Sequence, residues 1–197
     1  KMITNNEITS FLEEQTSCLN LLQNNTQEIV KIYDVLAKTR KKGKKVFTMG
    51  NGGSGSTASH FVADLLKTVL TKNNKRFSAF SLVDNIPVLL VWSNDVSYDV
   101  VFLEQLKNHL SKGDVVIGFS GSGNSKNVVD ALRYARKTGA ICIGFTGRSG
   151  GKMKQFCDIC LQIPSNDMLT IESLHLLVCH CIADVLRKSG TPIFKYK

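Results

Sequence analysis

Five short apolar runs, at 46–50, 77–82, 115–119, 141–145 and 159–163, alternate with helical stretches near 56–71, 86–93, 100–111, 125–137 and 168–188. Runs this short and this apolar suit strands buried on both faces, and regular alternation with helices argues for a parallel sheet with helices on each side. The pattern therefore specifies an α/β fold, a three-layer doubly wound sandwich around a five-stranded parallel sheet. Two helices precede it. The first, near 6–22, carries Ile8, Phe11, Leu12, Cys18, Leu19 and Leu22 on one stripe. The second opens on a capping-box-like Asn25 and Glu28, with Ile29, Tyr33, Leu36 and Ala37 inward. Neither has an obvious sheet face to cover. They read as a helical arm, at about 6–42, that packs against another subunit. No linker, repeat or shift in composition divides the 197 residues, so a single domain, 1–197, is expected.

Polar residues lead the chain, with no signal-peptide core, and Lys1 ahead of Met2 reads as an addition before the natural start. No apolar run reaches membrane-spanning length, and a cytoplasmic location without membrane partners is expected. Net charge is +9, which suits an anionic partner, either a phosphate ester or nucleic acid. The densest basic run, Lys38, Arg40, Lys41, Lys42, Lys44 and Lys45, has no interleaved aromatics and reads as a solvated helix end rather than a nucleic-acid surface. The six cysteines read as buried free thiols in a reducing compartment. The C-x-x-C spacing of Cys157 and Cys160 suggests zinc or redox chemistry, but no second pair has matching spacing, and the two lie at the start of an apolar strand.

Two glycine- and serine-rich turns link strands to helices. The first is Gly50-Asn51-Gly52-Gly53-Ser54, after the first strand; the second is Ser120-Gly121-Ser122-Gly123-Asn124-Ser125, after the third. Such turns aim backbone N–H groups and a helix N-terminus at one spot, which attracts an anion. The expected cradle has hydroxyls from Ser120, Ser122 and Ser125 and bare N–H groups at Gly121 and Gly123. No lysine stands where a triphosphate-binding loop needs one. The spacing of Gly50, Gly52 and Gly55 resembles a dinucleotide fingerprint, but no acid lies between Leu65 and Val83, and only Asp84 follows the second strand. In a parallel sheet both turns fall on one rim, beyond the carboxyl ends of the strands.

Titratable residues gather on two helices. His60 and Asp64 are four apart and share a face, a spacing open to joint metal ligation or an acid–base pair. The last helix carries Glu172, His175 and His180 among leucines, valines and isoleucines, where polar groups need partners. Glu172 and His180 are about 12 Å apart along the axis, so two protomers offer the easier route to one ion. His175 suits a core histidine bonded to backbone.

Together these residues resemble the sugar isomerase (SIS) domain family, and within it the phosphoheptose isomerases. The resemblance rests on the first turn, His60 with an acid four later, the serine-glycine-asparagine-serine turn, and Glu172 with His175 and His180. Asn94-Asp95 and the segment 146–152 add to it. It implies an aldose–ketose isomerase that converts sedoheptulose 7-phosphate to a heptose 7-phosphate, as a homotetramer with active sites between subunits. It further implies phosphate and sugar binding by Asn51, Gly52, Ser54, Asp95, Ser120, Gly121, Ser122 and Ser125. A zinc ion would be held by His60, Asp64, Glu172 and His180, with acid–base roles for Asp64, His180 and Glu172. The alternative the family offers is a non-catalytic SIS protein that binds a sugar phosphate or a replication-initiator-type protein. Four positions depart from the family pattern, which has glutamate at 64, often glutamine at 172, and commonly threonine at 121 and 168.

Overall fold

A computed structural model describes residues 5–194. Two helices, α1 (Asn5–Gln23) and α2 (Gln27–Lys42), lead into β1 (Lys45–Gly50) and α3 (Gly52–Ala63). There follow β2 (Ser78–Ser81), α4 (Ile86–Asp95), α5 (Val101–His109), β3 (Val115–Phe119), α6 (Lys126–Thr138), β4 (Ile141–Thr146), β5 (Ile159–Gln162) and α7 (Met168–Lys188). The five strands form one parallel sheet in the order β2-β1-β3-β4-β5. Strand order reverses between β1 and β3, the place where such sheets open a crevice beyond their carboxyl ends.

Alternate residues of each strand feed opposite faces. Val46, Val115, Ile117, Phe119, Ile143 and Phe145 pack beneath α2, α3 and α7. Phe47, Met49, Val116 and Cys142 pack against α5 and α6. Gly118 and Gly144 pair in register on the α6 side. With no side chains there, Met153 lies flat on the sheet between them and is fully buried. The three layers expected from the sequence are thus in place.

The leading helices divide the role expected of them. α2 is no detached arm: Ile32 and Leu36 are buried in the core, and the helix touches α7, β5 and β1. It starts at Gln27 after Thr26, one residue beyond the expected cap, and Thr26 makes no side-chain cap bond. α1 is the more exposed of the two. Only Cys18 and Leu22 of its apolar stripe are buried, while Ile8 and Leu12 stay 55% and 57% exposed. The basic run is partly the solvated helix end expected: Lys38, Lys41 and Lys42 are exposed, while the other three are drawn into the fold. Arg40 is buried over the Phe77 ring and donates to Ser189 Oγ; Lys44 and Lys45 donate to the carbonyls of Lys112 and His109.

α7 has the length and hydropathy of a membrane span, contrary to the expectation that no segment would. Half of it is buried in the core against α2 and α3, the position of a central helix in a packed domain. His175 sits at its most enclosed point, edge-on to Phe145 and beside Phe119. Its Nε2 lies 3.2 Å from Thr146 O, and since a carbonyl only accepts, Nε2 carries the proton. Nδ1 is left buried and unpartnered. Burial therefore opposes a charged ring and pushes the His175 pKa down to about 4. Between that value and the ordinary histidine range the unfolded chain binds the extra proton. Stability contributed by neutral His175 is complete above about pH 6.5 and is lost as pH falls toward 4, by up to about 1.4 kcal/mol per pH unit. Urea titrations from pH 7 to pH 4 should show this slope, and His175→Gln, which can still donate to Thr146 O, should remove it.

Candidate active site

The first turn is the opening turn of a helix rather than a loop before one. α3 starts at Gly52, four residues earlier than expected, behind an extended Asn51 (φ −109°, ψ 149°). The reason is Gly50: a β-carbon there would sit 2.6 Å from the Ser54 carbonyl carbon and oxygen. Only glycine lets the helix begin against the end of its own strand. At its far end α3 runs into a single π-helical turn, Asp64–Thr68, instead of continuing to residue 71. Such wide turns recur at functional sites, and this one begins at a candidate acid.

Asn51 does not cap α3. Its amide exchanges two hydrogen bonds with Asn127: Asn51 Nδ2 donates to Asn127 Oδ1 at 3.0 Å, and Asn127 Nδ2 donates to Asn51 Oδ1 at 2.9 Å. Tyr98 Oη donates to Asn51 Oδ1 at 2.8 Å. Asn127 lies in the first turn of α6, so this clasp ties the two rim turns together. Sequence reasoning missed both Asn127 and Tyr98. The available signal was an asparagine inside a helix start, a position where its side chain competes for backbone bonds.

In the second turn, the Ser120 and Ser125 hydroxyls meet at 3.0 Å. Ser120 is buried and its N–H bonds Phe145 O. One expected donor is used internally: Gly123 N–H donates to Ser120 O, so it is not bare as expected. Ser122 Oγ accepts from Asn124 N–H, which leaves its own hydroxyl proton to donate. The anion-attracting end of α6 remains, since Ser125 precedes the helix without a side-chain cap bond. A strap crosses behind the turn: Met153 N–H donates to Gly123 O at 2.9 Å and Lys152 N–H to Asn124 Oδ1 at 3.0 Å. Gly123 and Gly151 both take positive φ, and their backbones touch where a side chain on either would collide.

His60, Asp64 and His180 converge within one chain. The two Nε2 atoms are 3.0 Å apart, and Asp64 Oδ2 lies 3.8 Å from His60 Nε2 and 3.7 Å from His180 Nε2. All three donor atoms fall within 4.8 Å of one another. Asp64 Oδ2 is buried without a hydrogen-bond partner, an arrangement that asks for a cation. Two imidazoles and a carboxylate are a donor set suited to a divalent transition metal. Three of the four expected ligands thus meet within one chain.

Glu172 is placed elsewhere. Ser54 Oγ donates to Glu172 Oε1 at 3.5 Å, and the carboxylate covers Gly53 so closely that no β-carbon would fit. Within one chain it borders the first turn and stays outside the histidine cluster. Gly52 is exposed beside it. Asp95, at the end of α4, is exposed and accepts from Asn94 Nδ2. Asp84, the weak dinucleotide signal, accepts from Ser59 Oγ.

Two departures from the family pattern prove to be one contact. A β-carbon at Gly121 would collide with Met168 Sδ, so a side chain at 121 requires the exposed Met168 side chain to move or be shortened.

With this geometry in place, comparison with known proteins is informative. The SIS domain family profile matches residues 10–147. The chain is 38% identical over 179 residues to a phosphoheptose isomerase of Aliarcobacter butzleri, covering 91% of this chain and 94% of that protein. It is 39% identical over 177 residues to a probable phosphoheptose isomerase of Thermoplasma acidophilum, covering 89% and 95%. A solved phosphoheptose isomerase of Francisella tularensis superimposes with a TM-score of 0.89 at 25% identity, covering 95% of this chain and all of the other. One from Neisseria gonorrhoeae gives 0.86 at 26%, covering 93% and 98%.

The 121–168 contact yields a direct test. Gly121→Thr alone should cost about 1–3 kcal/mol through overpacking. Adding Met168→Thr should recover most of that loss in a double-mutant cycle followed by urea denaturation.

Proposed function

The chain belongs to the SIS domain family, and we propose that it is a phosphosugar isomerase that interconverts sedoheptulose 7-phosphate and a heptose 7-phosphate. One observation carries the reading: α7 docks Glu172 on the first rim turn and, about two turns further along, His180 into the His60–Asp64 cluster at the far end of α3. A helix that holds a carboxylate beside the anion-binding rim and an imidazole in a metal-competent cluster is arranged for proton transfer on a bound phosphosugar.

The substrate phosphate rests at the N-terminus of α6, against Ser120, Ser122 and Ser125 with Gly121 beneath. Asn51, Gly52, Ser54 and Asp95 contact the sugar. Remote phosphate binding fixes the sugar's register, which lowers the entropic part of the barrier. Isomerisation then needs a group that removes a proton next to the carbonyl and returns it to the neighbouring carbon. Asp64, Glu172 and His180 fill these acid–base roles. His60, Asp64 and His180 would hold a divalent ion such as zinc, and Glu172 would complete the set through closure or a neighbouring subunit. Bound there, the ion would supply Lewis-acid stabilisation of developing negative charge on the substrate oxygen.

The assembly is a homotetramer. The bare stripe of α1 and the exposed Ile86, Leu90 and Val91 of α4 are the apolar surfaces it would cover. A reducing cytoplasm suits the chain, since all six cysteines are free thiols. The non-catalytic alternative has less support, because a protein that only binds a sugar phosphate has no need of a buried, unpartnered acid between two histidines.

The deciding experiment is an isomerisation assay on five- to seven-carbon ketose phosphates, with and without chelator. Turnover should be highest with sedoheptulose 7-phosphate, fall with chelator and return with zinc. His180→Gln should lower kcat by about 10²–10⁴-fold while light scattering still gives a tetramer. Glu172→Gln should also lower kcat with metal retained; full activity would leave the proton to Asp64 and His180. No turnover of any substrate would return the protein to the non-catalytic reading.

A further inference from the structure

Cys157 and Cys160 have no part in the proposed chemistry, yet the fold brings them together. Cys157 closes the 3-10 turn Lys152–Phe156, and Cys160 lies in β5, the edge strand. The chain bends at Asp158 between them. Both sulfurs lean over Gly144, where a β-carbon would sit 2.7 Å from Cys157 Sγ and 3.6 Å from Cys160 Sγ. The missing side chain at 144 is what leaves room for two thiols on one spot. The Cys157 thiol donates to Met153 O at 3.3 Å, and the Cys160 sulfur lies 3.9 Å from Thr146 Oγ1. Both cysteines are half-buried, so the expectation of fully buried thiols does not hold for them; Cys181 is exposed.

Small molecules have access. A cavity of about 710 Å³ between the α1–α2 junction and the sheet edge is lined by Leu21, Leu22, Glu28, Cys157, Cys160 and Pro164. The opposite end of the 3-10 turn is the strap behind the serine turn, where the N–H groups of Met153 and Lys152 hold Gly123 and Asn124. One turn of chain therefore has the thiol pair at one end and the serine turn at the other.

We propose that Cys157 and Cys160 form a hydroperoxide-reactive dithiol that closes reversibly to a disulfide, and that closure loosens the strap holding the serine turn at 120–125. The Cys160 sulfur attacks one oxygen of the peroxide and the O–O bond breaks. This leaves a sulfenic acid on Cys160 and a hydroxide that leaves as water after taking a proton. The Cys157 sulfur then attacks the sulfenic sulfur, the S–O bond breaks, and the hydroxyl departs with the Cys157 proton as a second water. The two sulfurs give up two electrons, and the peroxide takes both.

The assignment of roles follows from the surroundings. The neighbouring Cys157 thiol and the Thr146 hydroxyl, 3.9 Å away, favour the thiolate form of Cys160, so Cys160 attacks first. Cys157, whose thiol donates to Met153 O, keeps its proton until the second step. A disulfide holds its sulfurs about 2.05 Å apart, far closer than unbonded thiols. Closure therefore draws Cys157 toward β5 and takes its sulfur from Met153 O. Met153 is the residue whose N–H secures Gly123.

The test uses the full chain and hydrogen peroxide, and needs no substrate. The expected result is a loss of two hydrogens by intact mass, a 157–160 cross-link in peptide maps, and reversal by dithiothreitol. Amide hydrogen exchange over 120–126 and 150–156 should rise severalfold in the oxidised chain. In Cys157→Ser, dimedone should trap a sulfenic acid at Cys160, without the change in exchange. Oxidation confined to Cys181, with 157 and 160 still alkylated, would overturn the site. A disulfide that leaves exchange at 120–126 unchanged would overturn the link to the serine turn.

Discussion

Parallel strands β1 and β3 lie side by side, although helices and another strand separate them in sequence, and the rim chemistry depends on this adjacency. Each strand ends in a glycine-rich turn and each turn starts a helix, so two helix N-termini point into one crevice. The Asn51–Asn127 clasp fixes their spacing with two hydrogen bonds between side-chain amides. A buried polar side chain such as Asn127 is costly unless satisfied, and Asn51 satisfies it.

α7 supplies the remaining chemistry from the opposite direction. Glu172, His175 and His180 lie on one helix, and each meets a different environment. Glu172 faces the first turn, His175 is sealed among phenylalanines, and His180 reaches an exposed cluster. The sealed histidine holds the helix in register through Thr146 at the end of β4. The two flanking groups are thus presented from a rigid support, an arrangement that suits groups required to act at fixed separation.

Much of this could be read directly from the residues. Buried parallel strands are continuous apolar runs, so their positions were visible, and the span of α7 was legible from its end signals. The start of α3 was not, because glycines ordinarily mark loops; here the contact of Gly50 with Ser54 overrides that preference. The burial of α2 was hidden because its inward face mixes Ile32 and Leu36 with Thr39 and Arg40. Spacing alone joined His60 to Asp64, and the separation of Glu172 from His180 was readable as helical rise. Their partners, Ser54 and His60, lie more than a hundred residues away and leave no local trace. The meeting of Cys157 and Cys160 was equally obscured, since three-residue spacing in an extended segment sends side chains apart and only the bend at Asp158 reunites them.

α1 is joined to the rest of the chain near its C-terminal end, through Cys18 and Leu22. A helix in a protein draws most of its stability from packing, and the first turns of this one bury none of their apolar residues. In the proposed tetramer their order would come from whatever lies on Ile8, Phe11 and Leu12, so the folding of α1 and that association would draw on the same free energy. Dilution would then act as a selective denaturant. It would fray α1 from its N-terminal end while the sheet and α7 stay folded, making the length of this helix a gauge of protein concentration.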